Sequence, residues 1–369
     1  MPNAKPPFRA EHVGSLLRPA AIKEARARHA EGKLGRGELT TIEDAAITRV
    51  IARQEEVGLK VVTDGEIRRA AWQWDFLAGL DGVESAASAT GVNFKGATTP
   101  ATTIKVVGRV GVGRHPMLDH FAFVQRHTRV QAKMCIPSPT HLASTTRDWR
   151  SVVDRTIYPE LEPLFHDLAL AYRKTIRAFA DAGCTYLQLD DCNFAFLCDP
   201  VVQQRLTAQG DDPQAMLRAY AKLVADSLVE RPPGMTIMMH SCRGNFRSTW
   251  LTEGSWEAVA DVLFNSVPVD GYFLEYDSER AGGFEPLRFM PKGKQVVLGL
   301  MSSKLAPIEP KDAIKRRIDE ATRYVELDRL HLSPQCGFAS TEQGNVMSED
   351  EQWRKLAAVV SIAREVWRA

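Results

Sequence analysis

Apolar residues recur along the chain in short runs, and most runs are followed by an amphipathic stretch. Met235-Thr-Ile-Met-Met239 is apolar and β-prone throughout, the pattern of a buried strand. Similar runs stand at Phe8–Ser15, Leu59–Glu66, Val130–Pro137, Thr185–Asp191, 271–275, Gln295–Met301 and about 329–333. Helical periodicity fills about 20–31, 40–57, 157–182, 213–230, 255–264, 310–326 and 349–367. Gly183 is the expected stop of the long third helix. The stretch at about 81–128 breaks this rhythm with Gly, Thr and Val and with alternation such as Thr103-Ile-Lys-Val-Val-Gly. It predicts an inserted hairpin, a cap or arm after the second strand. Eight strand candidates separated mostly by helices predict an α/β chain of the parallel (β/α)8 TIM-barrel class. The expected organisation is one domain over 1–369 with that insertion. An open doubly wound sheet is the alternative. It loses support because no Gly-x-Gly-x-x-Gly follows the first strand and no Gly-Lys-Ser phosphate loop is present.

Composition narrows the function classes. Charged residues make up 25% and the formal net charge is +1, so no basic excess points to nucleic acid; Lys315-Arg-Arg317 reads as a solvated helix face. No run approaches the roughly 18 apolar residues of a membrane helix. Met1-Pro-Asn-Ala-Lys-Pro-Pro lacks the apolar core of a secretory signal, so a cytoplasmic setting is expected. Six cysteines in 369 residues are too few for a disulfide framework. Cys135, Cys184, Cys192 and Cys198 read as small buried residues.

The informative residues sit at the predicted strand ends, where a barrel of this class carries its chemistry. The fifth strand delivers His240-Ser-Cys242, two side chains pointing the same way. The sixth delivers Glu275, and the eighth is followed by Cys336. Barrel closure would bring His240, Cys242, Glu275 and Cys336 to one mouth. Imidazole, two thiolates and a carboxylate suit tetrahedral zinc, with Glu275 or a water the position that yields to substrate. Thiolate-rich zinc suits binding a substrate thiol and presenting it as a nucleophile. His12, Asp64, Glu66, Asp190 and Asp191 are further polar groups at strand ends.

Six motifs together resemble the cobalamin-independent methionine synthase family, in its short single-barrel branch. They are His12-Val-Gly-Ser-Leu-Leu-Arg-Pro19, Thr63-Asp-Gly-Glu-Ile-Arg-Arg69, Leu187-Gln-Leu-Asp-Asp191, His240-Ser-Cys-Arg-Gly-Asn-Phe-Arg-Ser-Thr-Trp250, Phe273-Leu-Glu-Tyr-Asp277 and Leu332-Ser-Pro-Gln-Cys-Gly-Phe-Ala-Ser340. The resemblance spans nearly the whole chain. It implies a zinc barrel that methylates homocysteine from a 5-methyltetrahydrofolate donor. Within it His240, Cys242, Glu275 and Cys336 match the metal ligands. Gly14 and Ser15 match the turn that holds the amino acid's carboxylate, and Glu66 and Asp190 match the acids on its ammonium. One departure is chemical. Where the family's seventh strand ends in Asp-Ile-His-Ser-Pro, with a His linked to proton delivery, this chain reads Gly299-Leu-Met-Ser302-Ser303-Lys304. Ser303 and Lys304 are then the candidate catalytic groups, and the methyl donor is open between the folate and another methyl compound.

Plainer readings stand beside these. Glu66 and Asp190 can pair structurally with arginines such as Arg68 or Arg18. Trp72 and Trp74 can stack on a flat donor or pack as a lid. Lys304 can be a surface lysine, His12 a hydrogen-bonded residue, and His115 and His141 ordinary loop histidines. Two other functions compete: thiol alkylation of the epoxyalkane:coenzyme M transferase kind, and non-catalytic zinc binding. The acids favour homocysteine, whereas an acidic thiol carrier would need a cationic anchor. The expected partners are the thiol and its donor, with no nucleic acid or membrane, and a homodimer is an open option.

Overall fold

The computed structural model describes residues 5–368. Helices α1 (Ala20–Ala30) and α2 (Arg36–Glu56) precede the short strand β1 (Val61–Val62) and the one-turn α3 (Trp74–Leu77). An antiparallel arm follows, in which β2 (Asp81–Ala87) pairs with β5 (Thr102–Gly111); β3 (Asn93–Phe94) and β4 (Ala97–Thr98) form a small hairpin between them. Next come α4 (Met117–His127), β6 (Gln131–Ala132), β7 (Met134–Pro137), α5 (Leu161–Asp181) and β8 (Tyr186–Asp191). The helices α6 (Asn193–Phe196), α7 (Pro200–Ala208) and α8 (Pro213–Ser227) lead to β9 (Thr236–Ser241), then α9 (Ala260–Ser266) and β10 (Gly271–Glu275). The chain ends with β11 (Gln295–Met301), α10 (Lys311–Ala321), β12 (Leu330–Pro334) and α11 (Glu349–Trp367).

Six strands form one parallel sheet in the order β12-β11-β10-β9-β8-β7. β6 runs into β7 across Lys133 and pairs in parallel with β1. The first predicted strand reduces to one parallel bridge, Ala10 with Leu332, held by Glu11 N–H to the Leu332 carbonyl (2.9 Å) and Leu332 N–H to the Arg9 carbonyl (3.0 Å). No ladder joins this segment to β1 among the described residues. They are tied instead by Leu16 N–H to the Gly65 carbonyl (3.0 Å) and the Thr63 hydroxyl to the Gly14 carbonyl (2.6 Å). The strands therefore form a six-stranded sheet and a separate β1–β6 pair, with no closed ladder among the described residues.

Two layers of apolar packing flank the strands. The larger lies between sheet and helices. α5 contributes Leu164, Leu168, Tyr172, Ile176 and Phe179, a face repeating at three or four residues. This helix stops where the sequence signalled. Gly183 takes φ +89°, Cys184 N–H reaches the Phe179 carbonyl (2.9 Å) and Gly183 N–H the Ala180 carbonyl (2.8 Å). A second cluster joins Val13, Val61, Tyr186, Met238, Phe273 and Val297, drawn from the N-terminal segment and five strands. Beside it Lys133 is buried, its Nζ donating to the His12 carbonyl and to Gln188 Oε1 (2.9 Å), and pairing with Glu11 at 3.3 Å.

The end of the predicted insertion differs. Residues 117–127 are the helix α4, whose Met117, Phe121 and Val124 are buried at helical spacing. Alternation stops at Gly111, and helix periodicity replaces it.

Candidate active site

β8 and β9 run in register with Asp190 beside His240, so both side chains reach the same end of the sheet. His240 Nδ1 lies 3.2 Å from Asp190 Oδ1 and its Nε2 3.3 Å from the Gln335 carbonyl. Cys242 follows β9, and Cys336 follows β12. One ligand atom from each of His240, Cys242 and Cys336 lies within 4.8 Å of the others, all buried. The two sulfurs are 3.7 Å apart. Tetrahedral zinc with bonds of about 2.3 Å to sulfur requires about 3.8 Å between thiolates. The spacing and donor types therefore fit such an ion.

Charge in this cluster follows from burial. Burial opposes charge on His240, but the Asp190 carboxylate and the Cys336 sulfur outweigh it and raise the imidazole pKa to about 10. The neighbouring Cys192 sulfur and burial push the Cys242 thiol up, and the Cys242 sulfur and burial do the same to Cys336.

Glu275 stands apart from the mutual 4.8 Å group. Its oxygens accept Arg243 N–H (2.7 Å) and Arg280 (3.1 Å). The expected fourth ligand is thus already engaged by its own chain. The expected catalytic pair has no counterpart in the cavity. The Ser303 hydroxyl donates to Gln335 Oε1 (2.5 Å), Lys304 Nζ is buried without a hydrogen-bond partner, and neither residue lines the cavity. Lys304 is buried rather than a surface lysine, and its charge lies near Glu275 and Asp277.

The cavity of about 500 Å³ is lined by Ser15, Glu66, Asp190, Trp72 and Trp74 as well as by the three ligand-type residues. Gly14 sits behind it at φ +136°; a Cβ there would lie 2.7 Å from Cys135 Sγ, so this turn needs glycine. Glu66 has a left-handed backbone at φ 57°, with its N–H held by Asp64 Oδ1 (2.8 Å). That strained conformation in a non-glycine residue aims its carboxyl inward. Burial raises its pKa to about 7, with Arg69 opposing and Asp190 adding to the rise. The arginine pairing Glu66 is Arg69, at 3.3 Å; Arg68 pairs with Asp44, and Arg18 braces the carbonyls of Leu16 (2.9 Å) and Ala339 (2.8 Å). Glu66, Cys135 and Asp190 form a second mutual group within 4.8 Å.

His12 stays off the cavity, its Nε2 3.3 Å from the Val61 carbonyl. Three further lining residues carried no site role in the sequence: His141 read as an ordinary loop histidine, Cys192 as a small buried residue, and Asn245 only as part of the His240 motif. His141 meets Trp72 edge to face at 4.6 Å, and its Nε2 is buried without a partner. Its place just beyond β7 is the signal that could have found it. Asn245, inside the His240 motif, donates to the Gly337 carbonyl (2.8 Å). Cys192, next after Asp190-Asp191, puts its sulfur 3.7 Å from Cys242 Sγ.

Parallel strands whose C-terminal ends gather thiols, an imidazole and carboxylates around a cavity define an α/β enzyme site. Residues 8–364 match the family model of the cobalamin-independent synthase catalytic domain. The chain belongs to that family, and its enzyme class is methyltransferase. It is 47% identical over 366 residues to the uncharacterized protein YxjH of Bacillus subtilis, covering 99% of this chain and 96% of that protein. A methionine synthase of Pyrococcus abyssi is 24% identical over 300 residues, covering 80% and 76% of the two chains. A Listeria monocytogenes structure, given provisionally as a vitamin-B12-independent methionine synthase, superposes with TM-score 0.77 at 37% identity over 99% of both chains. No helix among the described residues is long and apolar enough to cross a membrane.

Proposed function

We propose that this chain transfers a methyl group to the thiol of homocysteine, giving methionine, with zinc as its resident metal. The observation carrying this reading is the His240–Cys242–Cys336 group, buried beside a cavity whose lining includes Glu66 and Asp190. Bound zinc would lower the acceptor thiol's pKa and hold it as a thiolate. His240, Cys242 and Cys336 would ligate it, with Glu275 joining only if it gives up an arginine contact. Glu66 and Asp190 receive the acceptor's ammonium, and the Gly14-Ser15 turn receives its carboxylate. Trp72 and Trp74 face the methyl donor. Lys304 serves as counter-ion to Glu275 and Asp277 and does not protonate a leaving group. The acidic lining favours an amino-acid thiol over an acidic thiol carrier.

On the same reading the whole chain is one (β/α)8 barrel, with the β2–β5 arm as its insertion. The inner cluster from the N-terminal segment and five strands supports this curvature. A reducing, cytoplasmic setting suits free thiols at such a site.

The test measures zinc and methionine formation in the parent, Cys242→Ser and Cys336→Ser proteins. One zinc per parent chain, and its loss with activity in both variants, is the expected result. Undiminished zinc in both variants would remove the basis of the reading.

A further inference from the structure

The cavity's other walls identify what should bring the methyl group. Trp72, Trp74, Phe94, Phe196 and Phe246 all line it. Phe94 comes from the arm and meets Phe246 at 5.6 Å, and Lys95 N–H donates to the Trp250 carbonyl at 2.9 Å. The arm thus bridges to the segment after β9 and makes the cavity an aromatic box.

The carboxylates of the lining are Glu66, Asp75, Asp190 and Glu342, against Arg147 as its one lysine or arginine side chain among the described residues, with His240 already set against Asp190 at 3.2 Å. Arg147 is itself occupied by Ser88 Oγ (2.8 Å) and the Thr90 carbonyl (3.0 Å). Arg69 and Arg26 lie outside the lining, near Glu66 (3.3 Å) and Glu342 (3.4 Å), and temper the field. Once the acceptor's ammonium occupies Glu66 and Asp190, the remaining carboxylates of the lining are Asp75, whose Oδ2 accepts the Ala70 and Ala71 N–H groups (3.0 and 2.9 Å), and Glu342, paired with Arg26. Aromatic faces recognise methylated cations. An oligo-glutamyl tail would add negative charge to an acidic cavity.

The leaving group points the same way. An amine leaves poorly unless protonated; Ser303 and Lys304 do not line the cavity, and an amine donor would have to draw its proton from His141 or Glu66, the second of which is given to the acceptor's ammonium. A sulfonium requires no proton.

We propose that the methyl donor for this site is a small methylated cation, a sulfonium, rather than an anionic-tailed folate. This rests on the homocysteine-methyltransferase reading. The acceptor thiolate forms a new S–CH3 bond as the donor's S–CH3 bond breaks. The electron pair of the broken bond stays on the departing sulfur, which leaves as a neutral thioether. The thiolate's negative charge and the donor's positive charge cancel.

The experiment uses the zinc-loaded full chain with homocysteine and follows single turnovers from trimethylsulfonium, 5-methyltetrahydrofolate and methyl iodide. Methyl iodide is uncharged and reports thiol activation whatever the natural donor is. The expected results are acceleration with methyl iodide, and transfer from trimethylsulfonium at least tenfold faster than from the folate. Tetramethylammonium should compete with trimethylsulfonium. Trp72→Leu should raise KM for trimethylsulfonium about tenfold, with Trp72→Phe recovering most of the loss. Acceleration with methyl iodide but equal or faster transfer from the folate would overturn the donor inference and leave the homocysteine reading intact. No acceleration with methyl iodide would overturn both.

Discussion

Replacing Glu66 by Gln tests the proposed ammonium site through two independent readouts. Burial raises the Glu66 pKa from 4.5 to about 7, against the pull of Arg69 and with Asp190 and Asp64 adding to the rise. At pH 6 only about a tenth of Glu66 is then ionised, and at pH 8 about nine-tenths. An ammonium ligand needs the carboxylate. Methionine, which carries the ammonium without a titrating thiol, should bind the parent about tenfold more tightly per pH unit up to about pH 7 and then level off. In Glu66→Gln that slope should vanish, and affinity at pH 8 should fall roughly ten- to a hundredfold, for a charge-assisted bond of about 1.5–3 kcal/mol. Stability should move in the opposite sense. An acid whose folded pKa is raised contributes stability that is complete below pH 4.5 and lost as pH rises through about 7. For this group the loss is at most roughly 3 kcal/mol, at 1.36 kcal/mol per pH unit. That figure already includes the opposing pull of Arg69, which lies 3.3 Å away and loses its partner in the variant. Titration calorimetry with methionine between pH 5.5 and 8, alongside urea denaturation over the same range, reads both. Methionine affinity that is flat with pH in the parent, or equal in parent and variant at pH 8, would refute the role given to Glu66.

Lys133→Met should cost about 3–5 kcal/mol in urea denaturation, because it leaves the buried Glu11 carboxylate without its cation; adding Glu11→Gln should recover much of that loss. Cys192→Ser should retain one zinc per chain by elemental analysis, since Cys192 lies outside the mutual ligand group. Loss of the metal would instead add Cys192 to the ligand set.

The α/β alternation, most helices and the residues flanking the cavity were legible along the chain, because each depends on local periodicity or on position at a strand end. His240 and Cys242 share one strand end, and register alone sets Asp190 beside His240. Gly183 could be read as a stop because a left-handed residue at a helix end favours glycine whatever surrounds it. What only the tertiary structure decided was which groups each strand-end residue meets. Glu275, Ser303 and Lys304 look like ligand and acid in one dimension, yet Arg243 and Arg280, Gln335, and burial apart from the cavity engage or withdraw them. Cys192 and His141 gained their places at the cavity from neighbours about fifty and seventy residues away, Cys242 and Trp72. The arm was predicted as an interruption, but its function as a wall depends on Phe94 meeting Phe246 across the chain. Periodicity reports which face of an element is buried. Hydrogen-bond competition and cavity shape are long-range, and they come into being only when the strand ends converge.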